Sequence, residues 1–388
     1  MKILFVINNY FIPGNGISAS ARRTVKALRE AGNDVRLLSG CKPTDSPQPA
    51  FPLKEFHFPI FQPLISSQGF CYASGDKKTI DEAVAWADVV HLEEMFVLQW
   101  RAIRTAQKMG KPITATFHMY PENILTSLGM GKWSWANRTL LKAWRKHIYD
   151  TCVQVQCPTE NVLDRLRRYH FKAQLRVISN GLIPDACIRP LTPPDNYLDP
   201  ERPLDVICIS RLSKEKDQTT LFEALRYSQF AKRIRLTLAG NGPEARHYRK
   251  ICDRLLQDGV IRYPVQFVFL DRQGLRELAA GADLAIHCAH IEVEGLSIME
   301  AMQQGAVPII AEGRYSGTSL FALDRHSVFP VQNPEALAQR IDYWLARPKE
   351  RWEKGWQYVE HMKNFDIALS AQKLTEMFQD AVNQKKAR

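Results

Sequence analysis

Short runs of consecutive apolar residues alternate along this chain with stretches in which apolar residues recur every three or four positions. Lys2 to Ile7, Asp34 to Ser39, Asp88 to Leu92, Ile113 to Phe117 and Val153 to Cys157 read as strands. Ser18 to Ala31 reads as a helix, with Ala21, Val25 and Leu28 on one face and Arg22, Arg23, Lys26 and Arg29 elsewhere. Helical patterns fill most of the other gaps in this half. From Asn180 to Pro203 the chain is rich in Pro, Asp and Gly and loses its period, as a linker does. The alternation then restarts. Strands are predicted at Leu204 to Ser210, Ile234 to Ala239, Gln266 to Leu270, Asp283 to Cys288 and Val307 to Ala311. Helices are predicted at Gln218 to Tyr227, Pro243 to Gln257, Ser297 to Gln304, Pro334 to Ala346 and Ile367 to Val382. Strand-helix alternation of this kind predicts α/β domains with mostly parallel sheets. Two such sheets joined by a linker predict a cleft with ligands at the carboxyl ends of the strands.

Length agrees with this division, because 388 residues exceed one ordinary core. No run approaches the ~20 apolar residues of a spanning helix. The first apolar run passes at once into polar residues and Pro13, so it reads as a buried strand rather than a leader. The eight cysteines have no paired spacing, which suits a reduced, cytoplasmic compartment. A formal net charge of +11 suggests an acidic partner: nucleic acid, anionic lipid or a phosphorylated substrate. No zinc-finger or aromatic RNA-binding signature accompanies it, so nucleic acid is not expected.

Candidate chemistry gathers at predicted strand ends. Glu292-Val293-Glu294-Gly295-Leu296-Ser297-Ile298-Met299-Glu300 runs from a strand end through a glycine turn into a helix. A helix N-terminus offers unpaired N–H groups to a diphosphate, and the two carboxylates can accept several ligand hydroxyls. Arg211 and Lys216 lie beyond another strand end, where cations can neutralise a leaving diphosphate. Pro13-Gly14-Asn15-Gly16 is either a phosphate-approaching loop or a plain tight turn. His118 follows a strand, and Tyr120, Glu122 and Asn123 follow it. His287-Cys288-Ala289-His290 lacks zinc spacing, and no metal is expected. From Lys132 to Ile148, the residues Trp133, Ala136, Leu140, Trp144 and Ile148 fall on one helical face. Lys132, Arg138, Lys142, Arg145 and Lys146 supply cations around that face. The stripe packs on the sheet, meets an anionic membrane surface, or divides between the two.

Taken in order, these pieces resemble the retaining GT-B glycosyltransferases with a Glu-x7-Glu motif, the family-4-like group near phosphatidylinositol mannosyltransferases and diacylglycerol glucosyltransferases. Glu292 to Glu300 resembles that motif. Ser210-Arg211-Leu212-Ser213-Lys214-Glu215-Lys216 resembles the donor-phosphate motif, and Ala239-Gly240-Asn241-Gly242-Pro243-Glu244 the Gly-x-Gly-Pro turn. Ser179-Asn180-Gly181 and Asn333-Pro334-Glu335 match a linker turn and a late helix start.

The resemblance implies two Rossmann-like domains: residues 1–185 for the acceptor, 186–365 for the nucleotide sugar, and 366–388 as a helix packing back on the first. It implies that Gly16, Gly240, Gly295, Leu296, Ser297 and Glu300 bind the donor, Glu300 at its ribose. Glu292 would hold sugar hydroxyls, His118 would orient the sugar, and Arg211 and Lys216 would stabilise the leaving diphosphate. Tyr120, Asn123, Trp133, Trp135, Arg138, Lys142, Trp144 and Arg145 are the candidates for acceptor or membrane contact. Three positions depart from the pattern: Asp217 and Glu294 replace a usual glycine and aromatic, and Asn33 replaces a usual histidine.

The expected activity is transfer of a hexose or N-acetylhexosamine from a nucleotide sugar, UDP by default, with retention, to a lipid or lipid-linked glycan. The expected place is the inner face of the membrane, as a peripheral cytoplasmic protein without a cofactor. A nucleotide-sugar 2-epimerase and a silent nucleotide-sugar-binding scaffold share the architecture and stay as alternatives.

Overall fold

The computed structural model describes residues 1–12, 15–42, 47–57, 70–127, 129–131 and 133–386. Pro13, Gly14 and Lys132, singled out above, lie outside the described residues. The chain divides into two compact units, Met1–Ile183 with Ile367–Arg388, and Pro184–Asp366.

In the first unit the strands are β1 (Lys2–Asn9), β2 (Asp34–Cys41), β3 (Phe51–Phe56), β4 (Tyr72–Ala73), β5 (Val89–Leu92), β6 (Ile113–Thr116), β7 (Gln154–Cys157) and β8 (Gln174–Val177). Among the described residues they form one sheet in the order β4-β3-β2-β1-β5-β6-β7-β8, parallel except for β3 with β4. The helices are α1 (Gly16–Glu30), α2 (Lys77–Trp86), α3 (Val97–Lys108), α4 (Pro121–Ser127), α5 (Ser134–His147) and α6 (Glu160–Arg168). β1 is apolar from Ile3 to Ile7 because both its faces are covered. Asn15 caps α1, its Oδ1 accepting from the Ser18 amide at 3.1 Å. Asn33 ends the same helix: its Nδ2 donates to the Leu28 carbonyl at 3.1 Å and to Thr375 at 3.2 Å.

Thr375 belongs to the last helix of this unit (Ile367–Lys386). Ile367, Ala371, Leu374 and Phe378 recur at helical spacing and enter a core with Ile3, Phe5, Val25 and Leu28. The Phe378 ring lies 6.4 Å from Phe5 and 5.0 Å from His91.

In the second unit β9 (Leu204–Ile209), β10 (Ile234–Ala239), β11 (Gln266–Val268), β12 (Leu284–His287), β14 (Val307–Glu312) and β16 (Val328–Pro330) form a parallel sheet, in the order β11-β10-β9-β12-β14-β16 among the described residues. β13 (Ile291–Glu292) and β15 (Tyr315–Ser316) make a small separate ladder. The helices are α7 (Gln218–Ala224), α8 (Ala245–Gln257), α9 (Arg272–Gly281), α10 (Leu296–Gln303), α11 (Pro334–Leu345) and α12 (Pro348–Met362); the chain's last helix is then α13.

The stretch expected to be a linker is mostly not one. Beyond residue 183 it packs on the second unit. Arg189 is buried over the Trp352 ring, 4.1 Å from its centroid, and donates to the Gly305 carbonyl. Arg202 and the fully buried Arg351 both reach Asp283, at 2.5 and 2.7 Å. Burial pushes the Asp283 carboxyl up, but the two guanidinium groups outweigh it and hold it below the ordinary value. The aperiodic sequence is held by arginines, a signal that apolar periodicity does not carry.

Candidate active site

In the second unit, the candidates sit on turns beyond the carboxyl ends of β9, β10 and β12. The β9 turn bears Arg211 and Lys216 and is braced by the β10 turn. Leu212 N donates to the Asn241 carbonyl and Glu244 N to the Leu212 carbonyl, each at 3.0 Å. A Cβ at Gly240 would stand 2.0 Å from the Ser210 carbonyl oxygen, so only glycine lets the two turns approach this closely. Gln218 Nε2 donates to Ser210 Oγ and to the Arg211 carbonyl, both at 2.8 Å.

Lys216 pairs with Glu292, 76 positions further on. Burial pushes the Lys216 ammonium down, but the Glu292 and Glu215 charges outweigh it and leave its pKa above the ordinary lysine value. Burial likewise pushes the Glu292 carboxyl up, and Lys216 with His287 overcomes that and holds it at about 2. His287 Nε2 stands 3.5 Å from Glu292 Oε2. The backbone of Glu292 is fixed by pairing with Ser316 and by the Gly317 amide, which donates to its carbonyl at 2.9 Å. Three residues on, Gly295 takes the left-handed conformation (φ 85°) and starts α10. The amides of Leu296 and Ser297 lie in the first turn, where a helix supplies no carbonyl to accept them. Glu300 is half-buried one turn further along. This set can hold a diphosphate between cations and a helix N-terminus, with carboxylates for hydroxyl groups.

The two departures in this unit have local explanations. Asp217 adopts a left-handed conformation (φ 51°, ψ 44°), where glycine fits most easily and Asp is tolerated. Its Oδ2 accepts from Thr220 Oγ1 at 2.7 Å. Glu294 is buried, which removes its carboxylate from the surface around Glu292.

In the first unit, His118 lies two residues beyond β6. Its Nε2 is 2.7 Å from Glu93 Oε2, and Glu93 Oε1 is 3.1 Å from His91 Nε2. Burial pushes the Glu93 carboxyl up, but His118 and His91 outweigh it and hold it at about 2. Glu94 differs. Its Oε2 accepts from Asn8 N (2.7 Å), Asn8 Nδ2 (2.6 Å) and Gln99 Nε2 (3.0 Å), yet burial, helped by the Glu93 charge, pushes its carboxyl up to about 7. Glu93 and Glu94 were not among the sequence candidates. The available signal was two acids directly after a short apolar strand, where burial makes ionisation expensive.

Gly16 is the first residue of α1, and a Cβ there would meet nothing within 4 Å, so packing does not account for the glycine. Three acceptor or membrane candidates are corrected. Tyr120 is fully buried beneath Arg165, whose guanidinium lies 4.4 Å from the ring centroid. Trp144 is buried on the inner face of α5 with Asn137 and Leu141. Arg145 is turned inward, donating to the Tyr169 carbonyl at 2.7 Å and meeting Asp150 at 3.4 Å. The predicted stripe therefore divides. Its C-terminal part is core, because that part of α5 packs on the unit. Trp133 and Trp135 are 49% and 66% exposed, with stacked rings 5.9 Å apart, and Arg138 and Lys142 are exposed beside them. Asn123 is half-buried, its Oδ1 accepting from the Tyr120 amide at 2.9 Å. No helix among the described residues is long and apolar enough to cross a membrane.

Comparison with known proteins agrees with this arrangement. Residues 14–186 match Glycosyltransferase Family 4, and residues 194–355 match Glycosyl transferases group 1. Alpha-monoglucosyldiacylglycerol synthase of Streptococcus pneumoniae is 24% identical over 327 residues, 81% of this chain and 71% of that protein. The crystal structure of Anabaena HepE in complex with UDP and glucose superposes with a TM-score of 0.70 at 16% identity, covering 98% of this chain and all of that one. Sucrose-phosphate synthase from Thermosynechococcus elongatus gives 0.70 at 17% identity, covering 98% of each. With the two domain matches spanning most of its length and the whole chain sharing this architecture, the chain belongs to the family-4-type glycosyltransferases and has the GT-B fold.

Proposed function

We propose that this glycosyltransferase moves a hexose or N-acetylhexosamine from a UDP-sugar to a lipid or lipid-linked glycan, with retention, at the inner membrane face. The observation that carries the donor half is the Lys216–Glu292 pair beside the first turn of α10. It sets a cation, a carboxylate and a helix N-terminus on neighbouring turns of one unit. Lys216 and Arg211 take the charge of the leaving diphosphate, with no metal assigned a step. Glu292 holds sugar hydroxyls and Glu300 the ribose, while the Gly240 turn keeps the cations in place. By the resemblance, Gly16 is assigned to the diphosphate and His118 to the sugar. The acceptor oxygen bonds to the anomeric carbon on the face the diphosphate leaves, and its proton passes to a departing phosphate oxygen. That order of events retains configuration.

The lipid half is supported by the exposed Trp133–Trp135 stack with Arg138 and Lys142, since aromatic rings beside cations suit an anionic interface. A relative whose product is a glycolipid agrees. The test is release of nucleoside diphosphate from a panel of UDP- and GDP-sugars, with and without membrane lipid extract. Release that needs one donor and the extract is expected. Turnover of the donor without any acceptor would instead favour epimerisation, and binding without release a silent scaffold. For the surface itself, replacing both Trp133 and Trp135 by Ser should lower sedimentation with phosphatidylglycerol vesicles about tenfold or more, given ~0.8 kcal/mol per buried CH₂-equivalent. Unchanged sedimentation would remove the stack from the membrane reading.

A further inference from the structure

Glu93 is buried between two imidazoles, and the groups behind it fix which atoms carry hydrogen. Gln156 Nε2 donates to the Ile178 carbonyl at 2.9 Å, so Gln156 Oε1 is the acceptor end of that amide. Thr116 Oγ1 donates to this oxygen at 2.6 Å, which uses its only hydrogen. Thr116 can then only accept from His91 Nε2, 3.0 Å away. His91 Nδ1 is 2.9 Å from Thr114 Oγ1, a hydroxyl free to donate to it. His91 therefore carries a proton on Nε2, which it donates to Thr116, and Glu93 Oε1 stands 3.1 Å from the same nitrogen as a charge contact. The other carboxylate oxygen is 2.7 Å from His118 Nε2, and since an ionised carboxylate only accepts, that nitrogen carries the hydrogen.

We propose that Glu93 is a positioning residue for the glycosyl transfer: its carboxylate, set beside the His91 that Thr116 and Gln156 fix, holds His118 with its proton on Nε2, leaving Nδ1 as the atom His118 presents to the sugar. The proposal rests on the reading above that His118 meets the donor sugar. It assigns no proton transfer to Glu93. The carboxylate acts on orientation and tautomer, as second-shell carboxylates do for metal-bound histidines. One oxygen accepts from the His118 N–H and the other stands beside protonated His91 Nε2, and an amide cannot serve both places. Glu93→Gln sets an NH₂ against one of the imidazole N–H groups, and one histidine must turn or exchange its proton.

The first measurement needs no variant beyond an assignment control. Long-range proton–nitrogen correlation spectra of histidine-labelled protein, with His118→Ala to assign the signal, should report His118 as the Nε2–H tautomer. A proton resident on Nδ1 alone would overturn the proposal whether or not transfer is observed. The second measurement is a double-mutant cycle. Glu93→Gln should lower kcat about 10- to 100-fold, the range for outer-shell partners, with donor KM within about twofold. In the His118→Ala background the same change should cost less than about threefold. Equal losses in both backgrounds would make Glu93 a structural residue only. If His118→Ala keeps full activity, the role given to His118 fails while the tautomer measurement still decides where its proton is held. Thr116→Val, which removes the acceptor for His91 but no carboxylate, should mix the His91 tautomers in the same spectra while His118 keeps its Nε2 proton; an unchanged His91 signal would break the chain at that link, and loss of the His118 Nε2 proton would remove Glu93 as the group that sets it.

Discussion

The strand ends of the two units solve different problems. Around Glu93 in the first unit, a carboxylate stands between two ring nitrogens, and His91 is fixed in turn by the hydroxyls of Thr114 and Thr116. Around Glu292 in the second, the carboxylate meets a lysine, and burial makes each charge depend on the other. The first set is suited to fixing direction, the second to exchanging charge with an incoming ligand. An ammonium already paired can be shared with a diphosphate without leaving a bare charge behind, which would otherwise be costly.

The largest effect should come from breaking the second set. Lys216→Ala should lower kcat about 10²- to 10³-fold, the cost of a lost charge-stabilising donor, read as nucleoside diphosphate release. Turnover near the wild-type rate would remove Lys216 from the mechanism.

Next in size is the carboxyl beside the first set. The folded-state pKa of Glu94 stands at about 7, above that of an ordinary glutamate. The folded protein therefore keeps a proton that the unfolded chain releases between about pH 4.5 and pH 7. Its contribution to stability is intact below that window, falls as pH rises through it, and levels off above. Relative to Glu94→Gln, wild-type stability should drop by on the order of 3 kcal/mol between pH 4.5 and pH 8. Parallel urea midpoints across that range would contradict this.

The smallest effect concerns the turn carrying Lys216. Asp217→Ala should cost about 1–2 kcal/mol, because alanine gains nothing from the left-handed conformation. Asp217→Gly should cost less, since strain is relieved as the Thr220 bond is lost. Equal melting shifts for the two variants would make the hydrogen bond, not the backbone, the reason for Asp217.

Much of this was legible in the sequence where the signal is local. β1 announces itself by an unbroken apolar run, and α10 by a glycine turn before a helical period. α12 escaped the reading because Gly355 and several charges interrupt its apolar spacing, although Trp352, Val359 and Met362 fill its inner face. The Lys216–Glu292 contact was out of reach. Each residue marks its own turn, but their pairing depends on β9 and β12 being neighbours. Trp144 and Trp133 carry the same local signal on one helix and differ only in what packs against them. Glu93 was hidden for the opposite reason, since a carboxylate after a strand ordinarily reads as solvated surface.

The second unit interrupts the first in sequence, leaving it after residue 183 and returning at 367. During synthesis, β1 and α1 emerge early, but the helix whose Leu374, Met377 and Phe378 cover Phe5 and His91 comes last. At about 5–20 residues per second the ribosome needs about 10–40 s to make the intervening stretch. Throughout that interval the second unit can finish folding while the first keeps an open apolar flank. The first unit is therefore exposed to chaperones and to aggregation along that flank until the helix that follows the second unit docks.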